Sequence, residues 1–220
     1  MLFRGRGVAS LVCLFVCTLS APSKVRASTT LVVGTDQTTC PGATFSQIQA
    51  AIHQAAPGDS VHVCQGVYPE RQLFINKPLH LNGDPGVFFV PPAFTQNANG
   101  LATGAPIAAG ILVAGANSVS ITGIAIDGVN NSINQCSPRL EGIYYQNSSG
   151  KVDAVVVTNM KLGPGLSGCQ SGTGIFVESG NTSQVVNNVS REIVDPLPTS
   201  LTRLLVPERR RERFPLVFHT

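Results

Sequence analysis

The sequence predicts an all-β fold, a right-handed parallel β-helix (a solenoid) closed at its N-terminal end by an amphipathic helix. Three observations predict it. The first is a weak repeat, the feature to seek before single elements because its period decides the fold. Gly110-Ile111-Leu112-Val113, Gly142-Ile143-Tyr144-Tyr145 and Gly174-Ile175-Phe176-Val177 recur at 32-residue intervals. The second is that each is followed by another short β-rich run: Val119 to Ile126, Ala154 to Leu162, and Gln184 to Val189. Gly, Asn and Ser separate these runs, and no room is left for crossover helices. Short strands repeating without helices cannot form a doubly wound sheet. They can coil so that each strand pairs with its counterpart one repeat later, which satisfies the backbone and buries a continuous core. The third is a helical pattern just ahead of the repeat, placed to close an otherwise open end.

Taken in order, residues 1–27 read as a secretory signal. Arg4 and Arg6 give the positive start, Val8 to Leu19 an apolar run too short to span a membrane, and Val25-Arg26-Ala27 the cleavage site. Residues 28–190 are the expected folded part. Within it Phe45, Ile48, Ile52 and Ala55 recur at helical spacing, so a cap helix is expected over about 44–56, with Thr44 as its N-cap and Pro57-Gly58 as its stop. Strands are expected at Ser60 to Val63, Leu73 to Ile75 and Leu79 to Asn82, with turns at Gln65-Gly66 and Gly83-Asp84. In the repeat, Ile111, Ile143 and Ile175 form one inward ladder, with Val113, Tyr145 and Val177 beside it. Leu112, Tyr144 and Phe176 then stack outward, either as a sugar-stacking platform or as a face covered by long loops; the covered face is preferred, because exposed apolar patches are costly. Asn159, Asn187 and Asn188 read as turn asparagines stacked between coils. Residues 191–220 break the pattern: they contain no Gly and hold Arg209-Arg210-Arg211-Glu212-Arg213. They read as an irregular basic tail, as a disordered or frame-shifted end, or as a short helix from Leu201 to Val206 covering the last coil.

The 220 residues carry a net charge of +3, but that charge sits at the ends. Residues 28–190 hold five basic and eight acidic side chains, so the folded part is mildly acidic. A nucleic-acid partner needs a basic surface and is excluded on this ground. Four cysteines remain after the signal: Cys40, Cys64, Cys136 and Cys169. An even count in an oxidising compartment predicts two disulfides. Cys136 lies six residues before Gly142 and Cys169 five before Gly174, so coil stacking brings them together; Cys40 and Cys64 pair by elimination. No Cys-x-x-Cys occurs and no His is seen in register with a cysteine, so no zinc or other metal is expected.

The stretch Thr44, Phe45, Ile48, Ala51, Ile52, Ala55, Gly58-Asp59, Val61 and Val63 resembles the opening of the pectin-lyase-like right-handed β-helices. It continues with Cys64, Gly66-Val67-Tyr68 and Glu70, then with Ile75, Lys77-Pro78-Leu79, Leu81 and Gly83. Pectin methylesterases and β-helix repeat proteins of the NosD kind open in this way. The resemblance implies export and action on a pectin-like polysaccharide. It does not bring a catalytic set with it. The chain has no Trp and none of the Gln-Asp, Asp-Phe-x-Phe-Gly, Asn-Thr-Asp or Gly-His-Gly segments of the enzymatic branches. Ile124-Ala125-Ile126-Asp127-Gly128 is similar only to a strand-turn outside their catalytic residues. No His or Met cluster supports the copper that the NosD likeness implies. The family's chemistry falls on coils further along than this sequence reaches, so a truncated chain is expected.

Polysaccharide hydrolysis uses two carboxyls across a bond, and elimination uses a base beside a cation that neutralises a carboxylate. The acids placed by the repeat on neighbouring coils are therefore the candidate catalytic residues: Asp127, Glu141 and Asp153. Arg139, Tyr144 and Phe176 are the candidate substrate-binding residues. The bland alternatives are that Asp127 bonds its own turn, that Arg139–Glu141 is a solvated loop pair, and that Glu178 closes a turn. Tyr68 reads as packing under the helix and Glu70 as ordering a turn. Three functions follow: a secreted monomer that binds or processes polysaccharide or cell-wall glycan, an active pectin-type esterase, lyase or hydrolase with a non-standard site, or a non-enzymatic surface adhesin. None needs a cofactor.

Overall fold

Period-two alternation of Val, Ile and Leu against polar residues sets the strands. The computed structural model describes residues 26–178 except 167 and 170, together with the backbone of 189–190 and 218–219. The signal segment up to residue 25, Asn187, Asn188, the Leu201 to Val206 stretch and nearly all of the tail lie outside the described residues. The elements are β1 (Thr30–Val33), α1 (Ile48–Gln54), β2 (Ser60–Val63), β3 (Gly66–Tyr68), β4 (Leu73–Ile75), β5 (Leu79–Phe89), β6 (Ala98–Asn99), β7 (Pro106–Ala114), β8 (Val119–Asp127), β9 (Arg139–Gln146), β10 (Gly150–Asp153), β11 (Val156–Thr158) and β12 (Thr173–Glu178). Two further pairs, Val189–Ser190 and Phe218–His219, lie parallel to β10 and β12.

The fold is all-β and its sheets are mostly parallel. The larger sheet runs β1-β2-β5-β8-β10, with β3 on β5 and β11 on β8; the smaller runs β4-β7-β9-β12, with the short β6 antiparallel on β7. From β7 onward the chain crosses from one sheet to the other after every strand or pair of strands. Each strand returns beside its counterpart in register: Ile111 pairs with Ile143 and Ile143 with Ile175, while Val113, Tyr145 and Val177 follow. The opposite wall aligns Val61, Leu81, Ile121 and Val152, all fully buried. Both inward ladders face one core, and each fully buried aliphatic side chain adds about 1.5–3 kcal/mol to it.

Glycine sets where these strands bend. In β7, Ala108, Ile111 and Val113 face the main core whereas Ile107, Ala109 and Leu112 face the other way, so the alternation slips by one residue at Gly110. The same slip occurs at Gly142 in β9. A Cβ on Gly110 would lie 2.9 Å from the carbonyl oxygen of Gly142, and one on Gly142 would lie 2.5 Å from that of Gly174 and 2.5 Å from Val157 Cγ1. The recurring Gly is therefore a close backbone approach rather than a turn. In the larger sheet Gly123 does the same work at φ 71°, where a Cβ would collide with the carbonyl oxygen of Gly83.

Three boundaries differ from the sequence expectation. The helix spans Ile48–Gln54, not 44–56. The reason is that Thr44 and Phe45 both donate backbone hydrogen bonds to the carbonyl of Val32, and Phe45 bridges Val33, which holds them extended. Gln47, not Thr44, is the N-cap, and its side chain caps nothing. β5 does not turn at Gly83-Asp84 but continues to Phe89 across a bulge between Asn82 and Val87, because both of its halves keep their pairing with β8. The expected run Ala154 to Leu162 shrinks to β11, Val156–Thr158, and a separate strand, β10, precedes it; Ala154, at φ 50°, divides the two. Both expected disulfides are present: Cys40–Cys64 and Cys136–Cys169, closing loops whose ends are 24 and 33 residues apart. Each restricts the unfolded chain by roughly 3 kcal/mol.

Glu70 caps the helix from a distance. Its carboxylate oxygens accept from the backbone N–H of Ile48 (2.7 Å) and of Gln49 (2.9 Å), two donors that a helix start leaves unpaired. This corrects the reading of Glu70 as a turn residue. Tyr68 is buried as expected, its hydroxyl donating to the Cys64 carbonyl at 2.6 Å. Glu70→Ala is expected to lower unfolding stability by about 1–2 kcal/mol, the range for a lost helix cap, in denaturant titrations. Gly142→Ala is expected to cost about 2–3 kcal/mol by the same measurement, since the new methyl meets backbone on one side and Val157 on the other. A neutral Gly142→Ala would show that the two strands do not approach at this point.

Candidate functional site

Two outward faces were candidates, one per sheet. On the smaller sheet the outward ladder is covered from Leu112 onward, while Phe74, which pairs with Leu112 in the same row, is 41% exposed. Leu112, Tyr144 and Phe176 form a second buried cluster with Ile107 and Ala109, and Tyr144 stacks on Phe176 with ring centroids 5.2 Å apart. The cover is the segment around β6. Asn97 exchanges hydrogen bonds with the backbone of Ala109 on both its amide groups. Gln146 donates to the carbonyl of Asn99. Glu178 ties the far end down: its carboxylate accepts from the N–H of Leu101 and of Ala102, both at 2.8 Å, and from the Tyr144 hydroxyl at 2.6 Å. Glu178 was read as a turn acid. Its position two residues beyond Phe176 on one strand puts both on the same face, and that spacing is the signal that finds it.

The same cover encloses Glu141. It sits in β9, not in a loop, and none of its surface reaches solvent. The solvated loop pair is thus corrected to a buried one. Arg139 Nη2 lies 3.6 Å from Glu141 Oε1, and its guanidinium stands 4.9 Å over the Phe176 ring. The Thr173 hydroxyl is the other nearby donor, but neither carboxylate oxygen has a hydrogen bond of good geometry. Burial therefore pushes the Glu141 carboxyl up to about 7, with Thr173 and Arg139 opposing and Glu178 adding to the rise. Burial also raises Glu178, but Tyr144, Ala102 and Leu101 outweigh it and leave that carboxyl below its ordinary value. Burial, followed by the bond to Glu178, raises the Tyr144 phenol.

The candidate catalytic acids are not gathered in one place. Asp127 and Asp153 belong to the larger sheet and Glu141 to the smaller. Asp127 Oδ1 accepts from Val129 N–H at 3.0 Å and from Asn159 Nδ2 at 2.7 Å, a turn bonded across to the next strand. Asn159, at φ 56°, sits in a turn as expected, while Asn187 and Asn188, the two expected to stack with it, lie outside the described residues. Asp153 is ion-paired to Lys151 at 2.6 Å. Of the candidate binding residues, Arg139, Tyr144 and Phe176 do come together, around Glu141 and Glu178 beneath the cover.

The larger sheet leaves most of its outer face open, with Cys40 and Ala43 packing over Cys64 and Val32 at the β1 end. Thr30, Ser60, His80, Ser120 and Lys151 share one row across β1, β2, β5, β8 and β10. Val32, His62, Asn82, Thr122 and Asp153 share the next. His80 Nδ1 and Ser120 Oγ are 2.8 Å apart within the first row. Beyond the bulge, Val67, Phe88, Ala125 and Val156 form an apolar row, with Val67 56% and Phe88 48% exposed. His62 and Cys64 lie two residues apart on this side, and the bulge carries Asp84 to within 3.4 Å of His62. The expectation that no histidine lies in register with a cysteine is corrected here. One ligand atom each of His62, Cys64 and Asp84 lies within 4.8 Å of the others.

Because Glu141 is raised in the folded state, its contribution to stability is fully present below the ordinary Glu value and is lost as pH rises to about 7. The loss amounts to about 3 kcal/mol. Glu141→Gln is expected to flatten the fall in unfolding free energy between about pH 4.5 and 7 and to leave the protein more stable than wild type at pH 8. Equal slopes for the two proteins would contradict the burial of Glu141. A scan of protein-family models found no match to the chain, and searches of curated proteins and of solved structures found none either.

Proposed function

We propose that the chain is an exported right-handed parallel β-helix of the pectin-lyase-like kind and that it binds an extended polysaccharide along the open face of its larger sheet. The in-register returns of each strand, the crossing of the chain between two walls of one core, and the N-terminal helix support the fold reading. The two disulfides are compatible with export, and among the described residues no helix is long and apolar enough to cross a membrane.

The observation that carries the binding reading is the open face itself. Hydroxyl, imidazole and amide side chains repeat along two rows at the strand spacing of about 4.8 Å, comparable to the repeat of an extended pyranose chain. Beside them an exposed ring, Phe88, offers the apolar face of a sugar something to stack on. Pairing of Lys151 with Asp153 keeps the rows close to neutral. Such a surface can hold a sugar chain by many shallow hydrogen bonds. Among the described residues it contains no pair of opposed carboxyls, so binding rather than cleavage is the activity proposed.

The experiment is affinity electrophoresis and calorimetry against polygalacturonan, methylated pectin, xylan and a neutral β-glucan. At least one is expected to bind, and Phe88→Ala and His80→Ala are each expected to raise Kd by about tenfold, or about 1.4 kcal/mol. Absence of binding to all four, or binding unchanged in Phe88→Ala, would overturn the proposal.

A further inference from the structure

We infer that Cys40, Cys64, His62 and Asp84 form a zinc site whenever the Cys40–Cys64 disulfide is reduced. The inference stands apart from glycan binding and rests on the geometry at the N-terminal edge of the larger sheet. His62 is fixed in β2 between Val61 and Val63, both fully buried, and Cys64 follows on the same side of the strand. Gly83 pairs with Val63, so the bulge that begins there delivers Asp84 beside the two.

The distances suit zinc. Bonds of about 2.0–2.2 Å to nitrogen and oxygen at tetrahedral angles place those two ligand atoms about 3.4 Å apart. His62 Nε2 and Asp84 Oδ2 are 3.4 Å apart already. The Cys64 sulfur is within 4.8 Å of both, and the Cys40 sulfur is bonded to it. Two thiolates on one zinc need their sulfurs about 3.7 Å apart. The Cα atoms of Cys40 and Cys64, 6.0 Å apart, allow that by side-chain rotation. Thiolate, imidazole and carboxylate together select zinc over the hard cations magnesium and calcium.

While the disulfide is closed the sulfurs carry no thiolate, and His62 and Asp84 alone are a weak pair. A dithiol opens it: the dithiol's two S–H bonds and the Cys40–Cys64 bond break, and a cyclic disulfide and two cysteine thiols form. Zinc then displaces the two thiol protons, which pass to solvent. Disulfide and zinc are thus alternative staples for the same pair of residues.

The test uses the full chain with Cys13, Cys17, Cys136 and Cys169 each changed to Ser, so that Cys40 and Cys64 are its only cysteines. It is reduced with a phosphine, the reagent is removed, and zinc is titrated against a chromophoric chelator. The expected result is one zinc per reduced chain, bound at least ~100-fold more tightly than by the oxidised chain. His62→Ala and Asp84→Asn should each weaken binding at least ~10-fold, the lower bound for losing even an outer-shell partner, with the thiol titre unchanged. Cobalt in place of zinc should show thiolate charge-transfer absorption and tetrahedral visible bands. Equal zinc affinity in the two redox states, or parental affinity in both variants, would overturn the site. If reduction unfolds the chain, zinc is expected to restore its β-sheet circular dichroism, and failure to restore it overturns the site equally.

Discussion

The close approach of glycine backbones in successive strands is the constraint on which the rest of this structure depends. Where Gly110 stacks on Gly142 and Gly142 on Gly174, there is no room for a Cβ on Gly110 or Gly142, since the next carbonyl oxygen occupies the position it would take. The consequence is more than a tight contact. At each of these glycines the alternation of side chains slips by one residue, so Ile111 and Ile143 turn into the main core while Ala109 and Glu141 stay outside it. The strand bends, one wall becomes two facets, and the outer facet needs a cover of its own. Gly123 against Gly83 bends the opposite wall in the same way.

The treatment of acids follows from that geometry. A buried carboxylate is costly unless several donors reach it. Glu70 receives two backbone N–H groups from the start of the helix, and Glu178 two from the cover plus a phenol. Asp59 receives the N–H of Thr29 and of Ala56, and its carboxyl falls below the ordinary range for that reason. In each case the acid is a clamp that ties a remote segment to the sheets. Glu141 is fully buried with no hydrogen bond of good geometry, and burial raises its carboxyl; at Glu70 burial likewise outweighs the two backbone donors and leaves the carboxyl above its ordinary value.

What could be read in the sequence was whatever repeats. The 32-residue register located the inward ladder, the outward ladder and the Cys136–Cys169 bridge, because strand pairing converts equal spacing into contact. The Cys40–Cys64 bridge then followed from the count. What could not be read depends on partners distant in the chain and outside the repeat. Nothing near Glu70 says that its oxygens meet Ile48 and Gln49, some twenty residues earlier. Phe45 looked helical by its spacing, but the edge of β1 holds it extended. Asp84 looked like a turn residue, and only the pairing of both halves of β5 with β8 makes it a bulge facing His62. Glu141 looked solvated because acids usually are; its burial comes from a cover whose own sequence, around Ala98 and Asn99, carries little pattern.

The two outer faces differ in what the chain itself must cover, and the proposed polysaccharide is placed on the open one for that reason. On the smaller sheet the outward row is Phe74, Leu112, Tyr144 and Phe176, and leaving the last three in water as Phe74 partly is would cost several kcal/mol at ~25 cal/mol per Å². The chain covers Leu112, Tyr144 and Phe176 itself, and by doing so buries Tyr144 and Phe176 and leaves Arg139 only partly exposed. On the larger sheet the outward residues are Ser60, His80, Ser120, Asn82 and Thr122, which solvent satisfies at no cost, so nothing compels a cover. Phe88 and Val67 are the exceptions there, apolar and left half in water beside polar rows. Together they leave an apolar patch beside the polar rows of the larger sheet, which is where the proposed polysaccharide would stack.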